Sequence, residues 1–307
     1  MKEEKIDILL ACYNGENYIR NQILSLQQQT HTNWHLYIRD DGSTDHTLEI
    51  VRAFIEKDSR ITLIKDHKKN LGPALNFKEL FEYSTANYAI CCDQDDIWFE
   101  KKLALLLKVA KDKFSDEYPC MVYSDGYGYD SEEGIISHQN ISNLDARSLE
   151  QFMFFNGGYQ GCSVLFNKSL TKMFQQYTPP FYMHDDIISL LAFTFGKVYR
   201  LPKKLMLYRQ HDNNVTGNMT RDSLIKRAFT SKNSVISIKH LKEKMAFFSH
   251  YKEYMSEKHK ILFKSYFQIT STKSYWKKAN IVRQHNFSLG QYKLRLYIKL
   301  LLQPTVK

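Results

Sequence analysis

Glycine and proline are scarce here, 12 and 6 residues of 307, which excludes collagen-like and low-complexity chains. No apolar run approaches the ~20 residues that cross a bilayer, so no membrane-spanning helix is expected. The N-terminal MKEEK passes straight into a short apolar run without the pattern of a secretory leader, and a cytoplasmic location follows as an expectation. Cysteine is sparse and odd in number. Cys12, Cys91, Cys92, Cys120 and Cys162 show no metal-ligand spacing and read as small buried residues in a reducing compartment.

What is present is a globular composition, 43% hydrophobic and 25% charged, with 20 Tyr, 19 Phe and 3 Trp. That excludes a disordered chain. The length suits one large domain and a smaller one. The formal charge of +10 is unevenly placed. Residues 1–217 carry 24 Lys+Arg and 29 Asp+Glu, a net −5, whereas residues 218–307 carry 19 and 4, a net +15. The basicity belongs to the last segment alone, so the pattern is an acidic body with a basic appendage.

Over the first half, strand-length apolar runs alternate with segments of helical period. Strands are expected at 6–12, 34–39, 61–65, 88–92 and 121–124, and helices at 18–26, 44–56, 72–83 and 99–114. Such alternation predicts an α/β fold with a mostly parallel, twisted sheet covered by helices. Residues 125–148 read as polar and irregular. A strand at 162–167, a helix at 187–195 and two strands flanking Pro202, at 198–201 and 205–209, complete this part. Ligands of such sheets bind beyond the carboxyl ends of the strands. Two acidic clusters, Asp40-Asp41 and Asp93-Asp95-Asp96, directly follow expected strands and should open on one edge. From residue 218 onward three or four amphipathic helices are expected, with Val235, Ile238, Leu241, Met245 and Phe248 at helical spacing. The division proposed by sequence is therefore 1–217 and 218–307.

Asp93-Gln94-Asp95-Asp96 sets three carboxylates in four residues, which repel unless a cation or basic group is near. Carboxylate oxygens suit Mg²⁺ or Mn²⁺, which takes one or two of them and fills its shell with substrate phosphates. An acidic turn capping the next helix accounts for the same residues. In DDGSTD, residues 40–45, Gly42 allows a tight turn, and a carboxylate either accepts from a ribose or base edge or belongs to a capped turn. His184-Asp185-Asp186 either opens a helix or supplies a general base for an acceptor hydroxyl. In Tyr208-Arg209-Gln210-His211 a neutral histidine could ligate a metal and Arg209 could meet a phosphate; a plain surface location is the alternative.

Taken in order, DILLACYNGE (7–16), RDDGSTD (39–45), NLGPALNF (70–77) and CDQDDIW (92–98) resemble the family 2 glycosyltransferases over about residues 5–217. QGCSVLFN (160–167) and YRQH (208–211) are similar to the bacterial rhamnosyltransferase-like branch. That branch often has two tryptophans after His-Asp, where this chain has Asp186-Ile187. The resemblance implies a GT-A fold, the nucleotide-diphospho-sugar transferase fold, followed by a C-terminal α-helical subdomain. It implies inverting transfer from a dTDP- or UDP-sugar with Mg²⁺ or Mn²⁺. Asp95, with Asp93 and Asp96, is implied at the metal, and His211 as a further contact to metal or diphosphate. Asp41 is implied at the nucleoside, with Tyr13, Asn14 and Glu16 in that pocket. Asn70, Gly72 and Asn76 of the third motif and Arg209 join the donor site. Asp185 is implied as the base, with Asp186 as the alternative.

The basic tail interleaves lysine with aromatics, including Lys239, Lys242, Lys244, Phe247, Phe248 and Tyr251, and later Tyr275, Trp276, Lys277 and Lys278. It reads as a helical subdomain packed on the body, as an anionic-membrane surface, or as a nucleic-acid surface. The membrane is preferred over nucleic acid because relatives build surface polysaccharide on lipid carriers, so a peripheral place on the inner face of the cell membrane is expected. The acceptor is then lipid-linked or an oligosaccharide. The rival function is a non-catalytic α/β protein whose tail binds membrane or nucleic acid.

Overall fold

A computed structural model describes residues 3–142, 144–210 and 234–307. The expected boundary at residue 217 and the candidate His211 lie outside the described residues. The first unit is β1 (Ile6–Cys12), α1 (Ile19–Gln27), β2 (Trp34–Asp40), α2 (Thr47–Ile55), β3 (Ile61–Leu63), α3 (Gly72–Phe81) and β4 (Tyr88–Asp93). Its strands pair in parallel in the order β3-β2-β1-β4. β1 is apolar almost throughout because helices cover both of its faces. Ile6, Ile8, Leu10 and Cys12 enter one core with α1 and α2, while Leu9 enters the other with α3. Cys91 and Cys92 divide between the two cores in the same way, and all five cysteines are buried and free.

The second half departs from a mostly parallel sheet. After β5 (Ile97–Trp98) and α4 (Lys102–Lys113) come β6 (Cys120–Asp130), β7 (Ile135–Asn140), the short α5 (Leu149–Phe152), β8 (Val164–Asn167), α6 (Lys168–Gln176), α7 (His184–Phe195) and β9 (Lys197–Gln210). β8 lies antiparallel between β4 and β6, and β9 is parallel to β6 and antiparallel to β5. The stretch read as irregular after residue 124 continues β6 and turns back as β7, a hairpin that its Tyr- and Gly-rich composition conceals. A short turn suffices for antiparallel return, whereas each parallel step needs a crossover. β9 is one strand rather than two. Its register with β6 shifts between Tyr123↔Arg200 and Asp125↔Lys204, and Pro202 falls in that irregular stretch, where a missing N–H is tolerated.

Among the described residues four longer helices follow: α8 (Ile238–Tyr251), α9 (Glu257–Ser271), α10 (Tyr275–Gln284) and α11 (Lys293–Leu302). They share the core of α3, α6 and α7 through rings: Tyr177 lies 6.1 Å from Phe247 and 5.9 Å from Tyr251, and Phe154 lies 5.2 Å from Tyr266. The inward face of α8 differs from the one expected. His240, Leu241, Glu243, Lys244, Phe247 and Tyr251 are buried, while Ile238 and Met245 face outward. Three charged side chains lie on that inward face, and an apolar pattern cannot show them.

Candidate active site at the carboxyl edge of the sheet

In register, Cys12 of β1 stands beside Asp40 of β2, and Ala11 beside Asp93 of β4. Both acidic clusters therefore leave the same edge. They open on a cavity of about 730 Å³, a size suited to a small-molecule ligand. Tyr13, Asn14, Asp41, Asn70, Gly72, Asn76, Asp93, Asp95 and Asp185 line it. Glu16, Asp96, Asp186 and Arg209 do not line it.

The acidic loop is latched to the β1 loop. Gln94 accepts from the Tyr13 N–H and donates to the Tyr13 carbonyl, 3.0 Å each way. Gly15 leaves room for this latch, since a Cβ there would collide with the Gln94 amide. Asp93 and Asp95 reach the cavity, whereas Asp96 turns inward, where its carboxylate accepts from the Arg209 N–H at 3.4 Å. Burial and the charges of Asp95 and Asp93 push the Asp96 carboxyl up, opposed by Lys102. Lys102 is fully buried beneath the loop, donating to the Cys162 carbonyl at 2.6 Å and lying 3.8 Å from the Trp98 ring. Burial brings its ammonium down to about 8. Arg209 supports the loop from behind, Nε donating to the Asp95 carbonyl at 2.8 Å, its guanidinium 5.1 Å from the rings of Tyr18 and Tyr129.

The opposite flank is organised by Arg39, fully buried at the end of β2. Its five N–H donors go to Asp66, Asp41, Asn76 and the Lys68 carbonyl at 2.8–3.3 Å. Asp41 accepts from the Leu71 and Gly72 N–H groups at 2.9 and 2.8 Å and so caps α3 from outside. Gly72 and Asn70 hold φ of +77° and +58°, the left-handed region that the turn into α3 requires. Asn14, also left-handed, accepts from Thr44, and Glu16 accepts from His46, both at 2.9 Å. These two bind the β1 loop to the β2 loop.

α7 supplies the far wall. Its first turn places His184 and Asp185 in the cavity and Asp186 behind it. Burial and the charges of Asp186, Asp93 and Glu243 push the Asp185 carboxyl well above its usual range. Asp186 is buried and 3.1 Å from His240 of α8, which also approaches Glu243 at 3.6 Å. His184 stacks on Phe77 with centroids 3.9 Å apart, and burial drives its ring to about 3, so it is neutral.

Comparison with known proteins decides the family. The description "Glycosyl transferase family 2" matches residues 7–174, more than half of the chain. The chain belongs to this family. It is 30% identical over 223 residues to the dTDP-rhamnosyl transferase RfbG of Shigella flexneri, covering 68% of this chain and 73% of that one. It is 25% identical over 217 residues to the putative teichuronic acid biosynthesis glycosyltransferase TuaG of Bacillus subtilis, covering 69% and 82%. Among solved structures, S. aureus TarS 1–349 in complex with UDP-GlcNAc superposes with a TM-score of 0.55 at 18% identity, over 68% of this chain and 60% of that one. The mannosyltransferase PcManGT of Pyrobaculum calidifontis, in complex with GDP-Man and Mn²⁺, superposes with 0.52 at 13% identity, over 98% and 86%. The expected GT-A fold is thereby established.

As a glycosyltransferase, the chain presents a donor set that fits a hard divalent cation. Asp93 and Asp95 share the cavity, and among the described residues no lysine or arginine lines it. Burial and the Asp95 charge raise Asp93 to about 6, a repulsion that a cation there would relieve. Gln94, Lys102 and His184 escaped the reading of the sequence as parts of this site. Gln94 lies inside the acidic motif and could have been found there. His184 stood in the His-Asp motif read from the sequence without a role of its own, and Lys102 gave no signal, because the positions of both depend on burial.

Proposed function

We propose that this glycosyltransferase moves a sugar, rhamnose first among candidates, from a dTDP- or UDP-sugar to a hydroxyl of a lipid-linked or polysaccharide acceptor, with inversion and with Mg²⁺ or Mn²⁺. The observation that carries this reading is one cavity bounded by Asp93 and Asp95 on one wall and Asp185 on another. Asp93 and Asp95 would hold the metal, whose charge offsets that of the departing diphosphate. Asp41, Tyr13, Asn14, Asn70, Gly72 and Asn76 would receive the nucleoside. Asp186 is occupied by His240, so Asp185 is the residue assigned as base. Its carboxylate takes the proton of the acceptor hydroxyl while that oxygen attacks the anomeric carbon. The bond from that carbon to the diphosphate oxygen breaks, and the nucleoside diphosphate leaves with the electron pair, giving single-displacement inversion.

The RfbG likeness favours dTDP-rhamnose as donor, the likeness to TuaG, a putative teichuronic acid biosynthesis glycosyltransferase, favours a polysaccharide product, and a surface polysaccharide of capsule or O-antigen type is the one proposed. No helix among the described residues is long and apolar enough to cross a membrane. The region from residue 218 is assigned as the part that holds the enzyme at the inner face of the membrane. Turnover should be measured across dTDP-rhamnose, UDP-galactose and UDP-glucose with Mn²⁺ and after chelation. We expect one donor to be turned over only with the cation, and Asp95→Asn to lower that rate by about 10³-fold or more while the fold is kept. Full activity of Asp95→Asn, or of the chelated enzyme, rejects the metal assignment.

A further inference from the structure

A second cavity, about 380 Å³, opens at the same edge of the sheet. Ile90 of β4 and Val122 of β6 both pair with Leu165 of β8, so Asp93 and Asp125, three residues farther on, stand level. Two strand spacings, about 10 Å, separate them. Ser142 of the second cavity donates to the Gln160 side-chain oxygen at 3.0 Å, and Gln160 lines the first cavity. The two cavities are thus neighbours across one hydrogen bond.

The chemistry of the second cavity is that of a polyol site. Asp125 and Asp145 face Arg147 and Arg200 around it, with Arg200 3.5 Å from Asp145. A phosphate there would meet two carboxylates. The hydroxyls of a neutral saccharide both donate and accept, so they suit charges of both signs. Tyr292, 47% exposed, offers a ring surface at the rim. A separate observation points to a ligand. Ser124 lines the cavity, is only 2% exposed, and its hydroxyl has no hydrogen-bond partner among the described residues. An unpaired buried hydroxyl is costly, and a ligand hydroxyl would satisfy it.

We propose that this cavity is a saccharide subsite that grips a sugar unit of the acceptor while its reacting hydroxyl enters the first cavity, a role that rests on the transferase reading above. Residues from the β6–β7 region and from the segment before α11 build it together, which gives the C-terminal part of the chain a share in acceptor choice.

The test is saturation-transfer NMR of the full chain with methyl glycosides of rhamnose, glucose, galactose and N-acetylglucosamine. At least one should bind, and Asp95→Asn should still bind it. Ser124→Ala should weaken binding about 5-fold, the worth of one hydrogen bond, with Tm unchanged or raised because an unpaired hydroxyl is removed. Arg147→Ala combined with Tyr292→Ala, both on the surface, should weaken it at least about 10-fold. The proposal is overturned if none of the glycosides binds, if binding is the same in both variants, or if inorganic phosphate displaces the glycoside. Failure of the transferase reading shows separately, as absent nucleotide-sugar turnover by the unaltered enzyme.

Discussion

Two adjacent carboxylates at the start of α7 carry different duties because a helix turns by about 100° per residue. Asp185 faces the cavity, and Asp186 faces α8 and His240. Asp185→Asn should lower the transfer rate by about 10²–10⁴-fold, the usual worth of a general base, with little change in Tm. Asp186→Asn should do the reverse, costing about 1–3 kcal/mol of stability through a weakened charged hydrogen bond and less than about 10-fold in rate. Kinetics and thermal melts of the two variants check this. If Asp186→Asn is the inactive variant, the assignment of the base is wrong. The same division runs through the acidic loop, where Asp93 and Asp95 meet the cavity and Asp96 accepts from the Arg209 N–H.

Elements are joined by single polar side chains at their ends. Asn167, buried where β8 becomes α6, accepts from Leu170 and Cys120 at 3.1 and 3.0 Å and donates to the carbonyls of Ser115 and Tyr118 at 2.8 and 2.9 Å. Asn167→Ala loses a helix cap, strands the buried Cys120 N–H and unpairs two half-buried carbonyls, so denaturant melts should show a loss of about 2–4 kcal/mol. A loss below 1 kcal/mol would show that water replaces the amide there. The junction of α7 with α8 carries a pH signature. His240 faces Asp186, Glu243 and Lys244, and its carboxylate partners lift it from 6.5 to about 9 against its burial. The raised value means that its contribution is complete below pH 6.5 and disappears as pH climbs through 9. Glu243, raised by burial, adds a loss in the same direction at lower pH. The stability gap between the unaltered chain and His240→Gln should be at most about 3 kcal/mol near pH 6 and should close above pH 9. A gap constant from pH 6 to 10 would dismiss the charged pair.

The whole molecule does not part cleanly between body and tail. Asn156 donates to the Val235 carbonyl at 3.1 Å and accepts from the Ser237 N–H at 2.9 Å, Lys244 donates to the Phe155 carbonyl at 3.0 Å, and α8 and α9 cover Tyr177 and Phe154. Deleting the tail would expose this core, so membrane binding is better tested on the surface. On α11, Leu294, Ile298, Leu301 and Leu302 are 72, 47, 61 and 56% exposed, while Leu296 and Leu300 are buried. Lys293, Arg295 and Lys299 flank that ridge. Flotation with phosphatidylglycerol vesicles should recover the full chain, and Leu294→Ser with Leu301→Ser should weaken recovery by about 10-fold or more, with salt weakening it further. Unchanged recovery would remove α11 from the membrane reading.

The alternation of strands and helices, the clustering of carboxylates at strand ends and the family motifs were legible in residues 6–98, because local periodicity and short spacings determine them. The opening of both acidic clusters on one edge follows from parallel pairing, and this too could be read from order alone. The antiparallel place of β8, the hairpin of β6 with β7, and the inward charges of α8 could not. The hairpin is local, but its Tyr- and Gly-rich composition hides the strand pattern; the other two depend on partners far away in the chain. Lys102 is a lysine in a helix until Trp98 and the Cys162 carbonyl close around it, and Asp186 is a second aspartate until His240, 54 positions later, reaches it. The sequence by itself determined which chemistry is carried. Only tertiary packing decided which of two neighbouring carboxylates meets the cavity and which is spent holding the wall, because burial and pairing are properties of the environment and not of the residue.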